Sequence, residues 1–509
     1  MTGGKSMKIS DTGDRDRNLS NDPRKARGQI VFVTIFFAAL FAVMLTWAVW
    51  YSWDKREFLF NEQHNGRDTL QEERVTRGTI YARDGRTILA QTMEEGGRTY
   101  RYYPYGREYA HAVGYSVLGG AGVESACKYD LLHTGISVPE QMELDQRLER
   151  YPGNNVITTL DPALQDSVVE ALDDFGYEKA AVIVTDPGTG EILAMVSRPD
   201  FDPNNIEEDW DSFVNADEED GEDTGILLNR VTQGRYPPGS TFKIVDAIEL
   251  LQEDANAINS YSFDCEGSWT YDGETVKCYH SERHGEVDLT EAFAASCNSA
   301  FSQIGVEEID RGRMMATLDK LMFNQKLPYD LPCERSYVGL DENTNTESLM
   351  QISIGQGTTV MTPLHMNMLT CAIANGGILM KPCLIKSVTD SNDTAIKTTR
   401  PEEYGSLVSA GVAANLTTMM QEVCRTGTAY RMKDTPYYVA GKTGSAEFGS
   451  SLESSQTYFD SHAWFTAFAW DGDGADSRRI CLTIVLEEEG TGSVAVPVAR
   501  RIFDAYFLN

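Results

Sequence analysis

One long uncharged stretch stands apart near the start of the chain. No charged residue occurs between Gly28 and Trp53, and the segment 30–50 is dense in Val, Phe, Leu, Ala and Trp. That length is enough for a helix to cross a bilayer, whereas a cleaved signal peptide has a shorter apolar core and a small-residue cleavage site. We therefore predict one transmembrane helix over residues 29–53; the alternative is a buried core helix.

The residues around this span predict its orientation. An aromatic belt lies at the end of the span and consists of Trp47, Trp50, Tyr51 and Trp53. Three basic residues precede the span: Arg24, Lys25 and Arg27. By the positive-inside rule, basic residues before a span keep the N-terminus in the cytoplasm. We expect residues 1–28 to be a disordered cytoplasmic tail and everything after Asp54 to lie outside the cytoplasm.

After the span, the pattern changes from short irregular elements to long periodic ones. Residues 54–71 are charged and predicted helical, and residues 77–90 predict two strands around an Asp84-Gly85 turn. Long periodic helices are few before residue 153. We predict an N-terminal pedestal domain over residues 54–153 and a larger domain over residues 154–509, since 509 residues exceed one ordinary core.

The larger domain reads as an α+β fold. Apolar runs predict strands, and 3.6-residue periodicity predicts helices between them. The strands are expected at 156–160, 180–185, 192–196, 437–447, 462–469 and 480–486, and the helices at 161–175, 241–251, 289–295, 299–309, 362–374 and 497–506. Short connections favour an antiparallel sheet flanked by helices. Residues 207–223 hold ten acidic residues and no basic one, which predicts a solvated loop; a metal site there is the less favoured alternative.

The ten residues 235–244 contain a candidate catalytic site. Pro237, Pro238 and Gly239 impose a sharp turn, and Ser240 follows at the start of an apolar helix. Lys243 lies three residues on, on the same helical face. This places a hydroxyl nucleophile and an amine base at a helix N-terminus. The plainer alternative is a capping serine with a solvated lysine, and Ser125-Ala126-Cys127-Lys128, with the same spacing, is read that way.

Composition restricts the possible partners. Acidic residues exceed basic ones by 77 − 44 = 33, which argues against nucleic acid as a partner. Nine cysteines include no CxxC pair, so neither a zinc site nor a thioredoxin motif is indicated. A disulfide between Cys265 and Cys278 and two unbridged thiols both remain open.

Three motifs stand in order along the chain: Ser240-x-x-Lys243, Ser296-x-Asn298 and Lys442-Thr443-Gly444. The ordered set resembles penicillin-binding proteins and serine β-lactamases. Further segments are similar to class B (monofunctional) penicillin-binding proteins, and to the small penicillin-binding protein A subgroup in particular. They are Arg77-Gly78-Thr79-Ile80, Arg83-Asp84-Gly85, Tyr105-Gly106-Arg107, Gly122-Val123-Glu124, residues 186–195 and Gly355-Gln356-Gly357.

The resemblance implies the penicillin-binding transpeptidase fold and acyl transfer at the D-Ala-D-Ala end of peptidoglycan stem peptides. Ser240 would be the nucleophile, Lys243 its base with a lowered pKa, and Ser296 a proton relay. Asn298, Lys442, Thr443, Gly444 and Ser445 would bind substrate, with the amides of Ser240 and Ser445 as oxyanion hole. It implies β-lactam inhibition, membrane attachment, a SEDS-type glycosyltransferase partner, and neither cofactor nor metal.

Two positions depart from the family pattern, and two other functions stay open. Cys297 replaces the Asp of class A β-lactamases and is read as a small buried thiol, since no matched histidine is evident. Ser445 stands where Thr is frequent in the family. The motifs do not separate amine from water as acceptor, so a carboxypeptidase, β-lactamase or β-lactam sensor is one alternative. A catalytically idle scaffold of a division or elongation complex is the other.

Overall fold

The computed structural model describes residues 23–54, 68–219, 225–447, 461–472, 474 and 477–508. Contacts divide the chain into two compact units, Met1–Asn65 and Gly66–Asn509. Each unit is described by itself.

The first unit contains the helix α1 (Pro23–Asp54). Its segment Arg27–Tyr51 is long and apolar enough to cross a membrane, with a mean hydropathy of 2.5. The hydroxyls of Thr34 and Thr46 donate to backbone carbonyls four residues earlier, which satisfies them within the helix. The helix begins five residues before the predicted tail ends, because Pro23 suits a first helical position. The rest of that tail, residues 1–22, lies outside the described residues.

The second unit contains the remaining described α-helices. In chain order they are α2 (Asp68–Arg74), α3 (Ala110–Val113), α4 (Gly122–Ala126), α5 (Lys128–Leu131), α6 (Val138–Arg147), α7 (Pro162–Phe175), α8 (Ile206–Glu219), α9 (Lys243–Glu253), α10 (Ala257–Ser260), α11 (Leu289–Ala294), α12 (Asn298–Gln303), α13 (Arg311–Lys320), α14 (Thr346–Ile352), α15 (Pro363–Ala374), α16 (Ala410–Arg425) and α17 (Ala495–Leu508). Local signals mark several starts; Asp161 caps α7 by accepting from the Leu164 amide.

The strands form two larger sheets and several two-stranded pairs. In chain order they are β1 (Val75–Thr76), β2 (Ile80–Tyr81), β3 (Ile88–Glu95), β4 (Arg98–Tyr102), β5 (Tyr151–Pro152), β6 (Asn155–Thr158), β7 (Ala180–Thr185), β8 (Ile192–Arg198), β9 (Ser262–Cys265), β10 (Ser268–Tyr271), β11 (Glu274–Lys277), β12 (Gly285–Asp288), β13 (Ile378–Met380), β14 (Ile385–Thr389), β15 (Ala395–Thr398), β16 (Glu403–Ser406), β17 (Tyr438–Glu447), β18 (Ser461–Trp470) and β19 (Arg479–Leu486).

The five-stranded sheet forms the central layer of the larger unit. Its order is β17-β18-β19-β7-β8, and every neighbouring pair is antiparallel, as the sequence predicts. Side chains on both faces of this sheet are buried along all of β7 and most of β18 and β19. Helix α15 covers one part of the sheet by packing on β7, β18 and β19. Helices α7 and α17 pack on each other, and they also contact β8 and β18 respectively. Among the described residues, strand β17 lies at the edge of this sheet and pairs only with β18.

A six-stranded mixed sheet connects the predicted pedestal to the rest of the unit. Its order is β15-β14-β6-β2-β3-β4, with β2 parallel to β6 and the other pairs antiparallel. Strands from residues 80–102 therefore share a sheet with strands from residues 155–158 and 385–398. The predicted boundary at residues 153/154 crosses this sheet, and it stays a prediction.

The acidic segment is helical, so the prediction of a solvated loop is wrong there. Helix α8 covers Ile206–Glu219, and residues 220–224 lie outside the described part. Three acidic residues occupy its first turn, where the helix dipole favours negative charge. Trp210 and Phe213 pack against a small core that includes Tyr115 and Phe201, and this packing overrides the loop-like composition.

A fully buried carboxylate joins the N-terminal strands to α4. Glu124 accepts from Arg77 Nε at 2.7 Å and from Arg101 Nε at 2.6 Å. Burial alone would raise the pKa of Glu124, but the two guanidinium groups outweigh it and hold that pKa below its usual range. The carboxylate is therefore ionised and shared between two arginines.

We expect Glu124→Gln to lower the free energy of unfolding by about 3–5 kcal/mol, because it leaves two guanidinium groups buried without their counter-charge. Chemical unfolding of the detergent-purified protein measures it. The control is Glu143→Gln, which removes the exposed ion pair with Arg147 and should cost less than about 1 kcal/mol. Equal effects of the two variants would contradict the prediction.

Candidate active site

Ser240 lies in a tight turn that leads into α9. A 3₁₀ turn, Gly239–Phe242, precedes the helix, and Gly239 has a φ of +52°, a conformation that glycine tolerates. A Cβ on Gly239 would lie 2.3 Å from the Ser445 carbonyl oxygen. The turn is therefore pressed directly against β17, which only a glycine permits.

The Lys243 side chain is fully buried at the centre of the motifs. Its Nζ lies 3.1 Å from Ser240 Oγ, 3.3 Å from Ser296 Oγ and 2.8 Å from Asn298 Oδ1. It also donates to the Ser296 carbonyl oxygen at 2.7 Å. One amine thus contacts both serines and the asparagine of the first two motifs.

Ser296 and Asn298 occupy the predicted corner between α11 and α12. Ser296 has a φ of +59°, a left-handed conformation that costs a non-glycine residue roughly 1–2 kcal/mol. Asn298 Nδ2 donates to the Lys277 carbonyl oxygen at 3.1 Å. The corner is therefore strained at one residue and tied at the other to the strand β11.

The third motif lies on the edge strand β17. Lys442 is fully buried, and its Nζ lies 2.9 Å from Ser296 Oγ. Ser445 Oγ accepts from the Gly492 amide at 3.1 Å. A Cβ on Gly444 would lie 2.7 Å from the Pro238 carbonyl oxygen, so this glycine allows the Ser240 turn to approach the strand.

The two buried amines influence each other through Ser296, which contacts both. Burial lowers the pKa of Lys243 to about 8. Burial, together with the charge on Lys243, lowers the pKa of Lys442 well below its ordinary value. Each amine also lies over an aromatic ring: Lys243 Nζ is 5.5 Å from the centroid of the Phe301 ring, and Lys442 Nζ is 5.3 Å from the centroid of the Phe293 ring. The pair binds one proton more readily than two.

Some neighbours of the site are not apparent from the motifs. Asp246, one turn after Lys243, is buried with both carboxylate oxygens unpartnered among the described residues, and burial raises its pKa well above the ordinary value. Thr428 Oγ1 lies 2.5 Å from Thr443 Oγ1. Asp246 could have been predicted near the site, because it lies three residues after Lys243 on the same helical face. Nothing in the sequence around Thr428 predicts its contact with Thr443.

Residue Cys297, at the middle of the second motif, belongs to a cluster that the sequence analysis does not predict. It is buried, as predicted, but its sulfur groups with those of Cys265 and Cys278 and a ring nitrogen of His284, all within 4.8 Å of one another. A histidine therefore does lie near Cys297, and the expectation of no zinc site stays a prediction. Cys265 and Cys278 are unbridged thiols, 3.6 Å apart. The sequence feature that could have predicted this cluster is the spacing of its four residues, which follow one another along the chain at intervals of 13, 6 and 13 positions.

Two segments that resemble the first and third motifs lie on other elements. Ser125 lies near the end of α4, Lys128 begins α5, and the chain leaves helical geometry at Cys127 between the two helices. The triplet Arg425-Thr426-Gly427, which resembles Lys442-Thr443-Gly444, begins at the last residue of α16, and a Cβ on Gly427 would lie 2.3 Å from the Ala294 carbonyl oxygen. That glycine packs behind the second motif and does not replace the third.

Comparisons with known proteins give the family of this chain. The model of the penicillin binding protein transpeptidase domain matches residues 180–504. The peptidoglycan D,D-transpeptidase PbpA of Mycolicibacterium smegmatis is 31% identical, over 86% of this chain and 90% of the relative. The peptidoglycan D,D-transpeptidase MrdA of Escherichia coli is 27% identical, over 82% of this chain and 72% of the relative.

Solved structures give the same family. Penicillin-binding protein A from M. tuberculosis, solved as a ceftriaxone acyl-enzyme complex, has a TM-score of 0.74 at 28% identity and covers 86% of this chain and 99% of its own. A D,D-transpeptidase domain from Eggerthella lenta has a TM-score of 0.72 at 29% identity, covering 86% of this chain and 100% of its own. The penicillin-binding transpeptidase fold is therefore confirmed, and this chain belongs to the penicillin-binding protein transpeptidase family.

Proposed function

We propose that this protein is a serine-type peptidoglycan D,D-transpeptidase that cross-links stem peptides through an acyl-enzyme on Ser240 and is inhibited covalently by β-lactams. One observation carries the proposal: the buried amine of Lys243 contacts Ser240 Oγ, Ser296 Oγ and Asn298 Oδ1 together. A nucleophile and a base with a lowered pKa, within hydrogen-bond distance, are what acyl transfer needs.

The chemistry proceeds in two steps. Neutral Lys243 takes the Ser240 proton while Oγ bonds to the penultimate carbonyl carbon of a D-Ala-D-Ala end. The C–N bond to the terminal D-Ala then breaks, and Ser296, between the two lysines, passes the proton to the leaving amine. An amine of a second stem peptide attacks the ester, restores the Ser240 hydroxyl and completes the cross-link.

Strand β17 and its surroundings would hold the substrate. Lys442 and Thr443 would bind the terminal carboxylate, and Gly444 lets the strand approach the nucleophile. A carboxylate beside Lys442 draws the shared proton onto that amine, which leaves Lys243 neutral as the base. Because the Ser240 turn is pressed against Ser445, the amides of these two residues are the proposed oxyanion hole. Asn298 would hold the substrate amide.

Activity should be tested with both a donor and an acceptor. A stem peptide ending in D-Ala-D-Ala is incubated with the detergent-purified protein and a second, amine-bearing peptide, and the products are measured by mass spectrometry. We expect free D-Ala and a joined product. Free D-Ala without a joined product would favour a carboxypeptidase, and neither product from folded protein would favour an idle scaffold.

Helix α1 supports a proposal for the placement of the protein in the cell. We propose a single-pass membrane protein with a cytoplasmic N-terminus, a pedestal over residues 54–153 and a transpeptidase domain over residues 154–509, both outside the cytoplasm. Protease added outside intact spheroplasts should then digest the larger unit; its full protection would contradict this orientation. A SEDS-type glycosyltransferase is the proposed membrane partner, which co-purification from detergent extracts would test.

Acylation should depend on pH through Lys243. Since burial lowers the pKa of this amine to about 8, its neutral form gains population as pH rises toward that value. The titratable groups that interact electrostatically with the Lys243 amine are Lys442, Asp246, Cys278 and Cys297. We expect the second-order rate constant for penicillin acylation to rise up to tenfold per pH unit and to level off near pH 8. A rate independent of pH between about 6 and 8 would contradict Lys243 as the base.

A further inference from the structure

Four potential metal ligands converge directly behind the second motif. Cys265 ends β9, Cys278 follows β11, His284 precedes β12, and Cys297 caps α12. The three sulfurs and one ring nitrogen lie within 4.8 Å of one another, and all three cysteines are buried. Three thiols and an imidazole are a frequent ligand set of structural zinc sites.

The distances fit coordination better than covalent pairing. Cys278 Sγ lies 3.6 Å from both Cys265 Sγ and Cys297 Sγ, and Cys265 Sγ lies 3.3 Å from His284 Nδ1. Zn–S bonds of about 2.3 Å at tetrahedral angles place sulfurs about 3.8 Å apart, whereas a disulfide needs about 2.05 Å. A disulfide would also leave one of the three thiols over, while one ion uses all three.

The segment that carries three of the ligands has little core of its own. Residues 262–288 form two two-stranded pairs, β9 with β12 and β10 with β11. Within this segment the buried residues are Cys265, Gly267, Val276, Cys278 and Val287. Isolated two-stranded pairs are marginally stable in water, and small elements of this kind commonly depend on a metal or a disulfide.

We propose that Cys265, Cys278, His284 and Cys297 bind one Zn²⁺ ion in a closed tetrahedral site that positions the second catalytic motif. Cys297 lies between Ser296 and Asn298, and Cys278 follows Lys277, whose carbonyl accepts from Asn298. The ion would therefore hold both sides of the corner and help to retain Ser296 in its left-handed conformation. The four ligands are positioning residues and do not touch the substrate.

The first test is metal content. Full-length protein, purified in detergent without chelator, is analysed by inductively coupled plasma mass spectrometry, and we expect about one zinc per chain. Replacing zinc with Co²⁺ should give the visible absorption of a tetrahedral cobalt thiolate. Metal-free folded protein, or an intact mass with a Cys265–Cys278 disulfide, would overturn the proposal.

Matched variants locate the site. Cys278→Ala and His284→Ala should reduce bound zinc at least about tenfold, whereas His284→Cys, which supplies a fourth thiolate, should retain it. Cys127→Ala, a buried thiol outside the cluster, should also retain it. The two His284 variants keep the test decisive if Cys278→Ala does not fold. Zinc retained in full by His284→Ala and Cys278→Ala would overturn the assignment.

The effect on chemistry is measured separately. Because misplacement of a reacting group by about 1 Å can cost on the order of 100-fold in rate, His284→Ala should acylate with penicillin about 10–100-fold more slowly, and His284→Cys should restore the rate. This part rests on the proposed function, whereas zinc stoichiometry does not. Loss of zinc with an unchanged acylation rate would overturn the positioning role alone.

Discussion

Ser240→Ala is expected to abolish covalent labelling by a fluorescent penicillin, lowering the rate by at least about 10³-fold. The variant removes the only atom proposed to bond to the β-lactam carbonyl, while the turn, Lys243 and the oxyanion amides remain. Detergent-purified protein is incubated with the label, separated by electrophoresis, and followed over hours. The matched control is Ser125→Ala, whose serine has the same spacing to a lysine and should label like the unmodified protein.

The outcomes separate the candidate functions. A stable adduct that only Ser240→Ala loses supports a transpeptidase whose acyl-enzyme excludes water. An adduct that forms and disappears within minutes supports a hydrolase. Labelling that persists in Ser240→Ala contradicts the assignment of the nucleophile, and folded unmodified protein that takes no label contradicts the enzyme.

Lys243→Met is expected to slow acylation by on the order of 10²–10⁴-fold. Methionine fills much of the same space but cannot accept the Ser240 proton, and it loses the contacts with Ser296 and Asn298. Asp246 should stay neutral in the variant, because burial already raises its pKa. The measurement is the rate of penicillin labelling, with Lys128→Met as the control.

A second substitution distinguishes a base from a structural cation. Lys243→Arg keeps a positive charge but has no accessible neutral form, so it should be as slow as Lys243→Met. Recovery of the rate in the arginine variant would contradict general-base catalysis and favour a purely electrostatic role. Thermal unfolding of each variant shows whether a loss of rate accompanies a loss of stability.

Most elements of the larger unit are predictable because their signals are local. Helix α7 begins at Pro162 after the cap Asp161, and the central strands are apolar runs between Gly- and Pro-containing turns. Backbone sterics and side-chain periodicity act over a few residues, so a single sequence displays them. The sequence does not predict the acidic helix α8, because Phe213 packs on Phe201 and Trp210 packs on Tyr115, which lies 95 positions earlier, and composition does not reveal such contacts.

The sequence by itself determined the long apolar segment of α1, the central antiparallel sheet and the three ordered motifs, because each is encoded within a short stretch. Only the tertiary structure decided what surrounds them. It brought Lys442 to Ser296 across 146 residues of chain, buried Asp246 beside Lys243, and drew Cys265, Cys278, His284 and Cys297 into one cluster. Such contacts depend on which segments pack together, and the free energy of packing is shared among many distant residues, so no local pattern carries it.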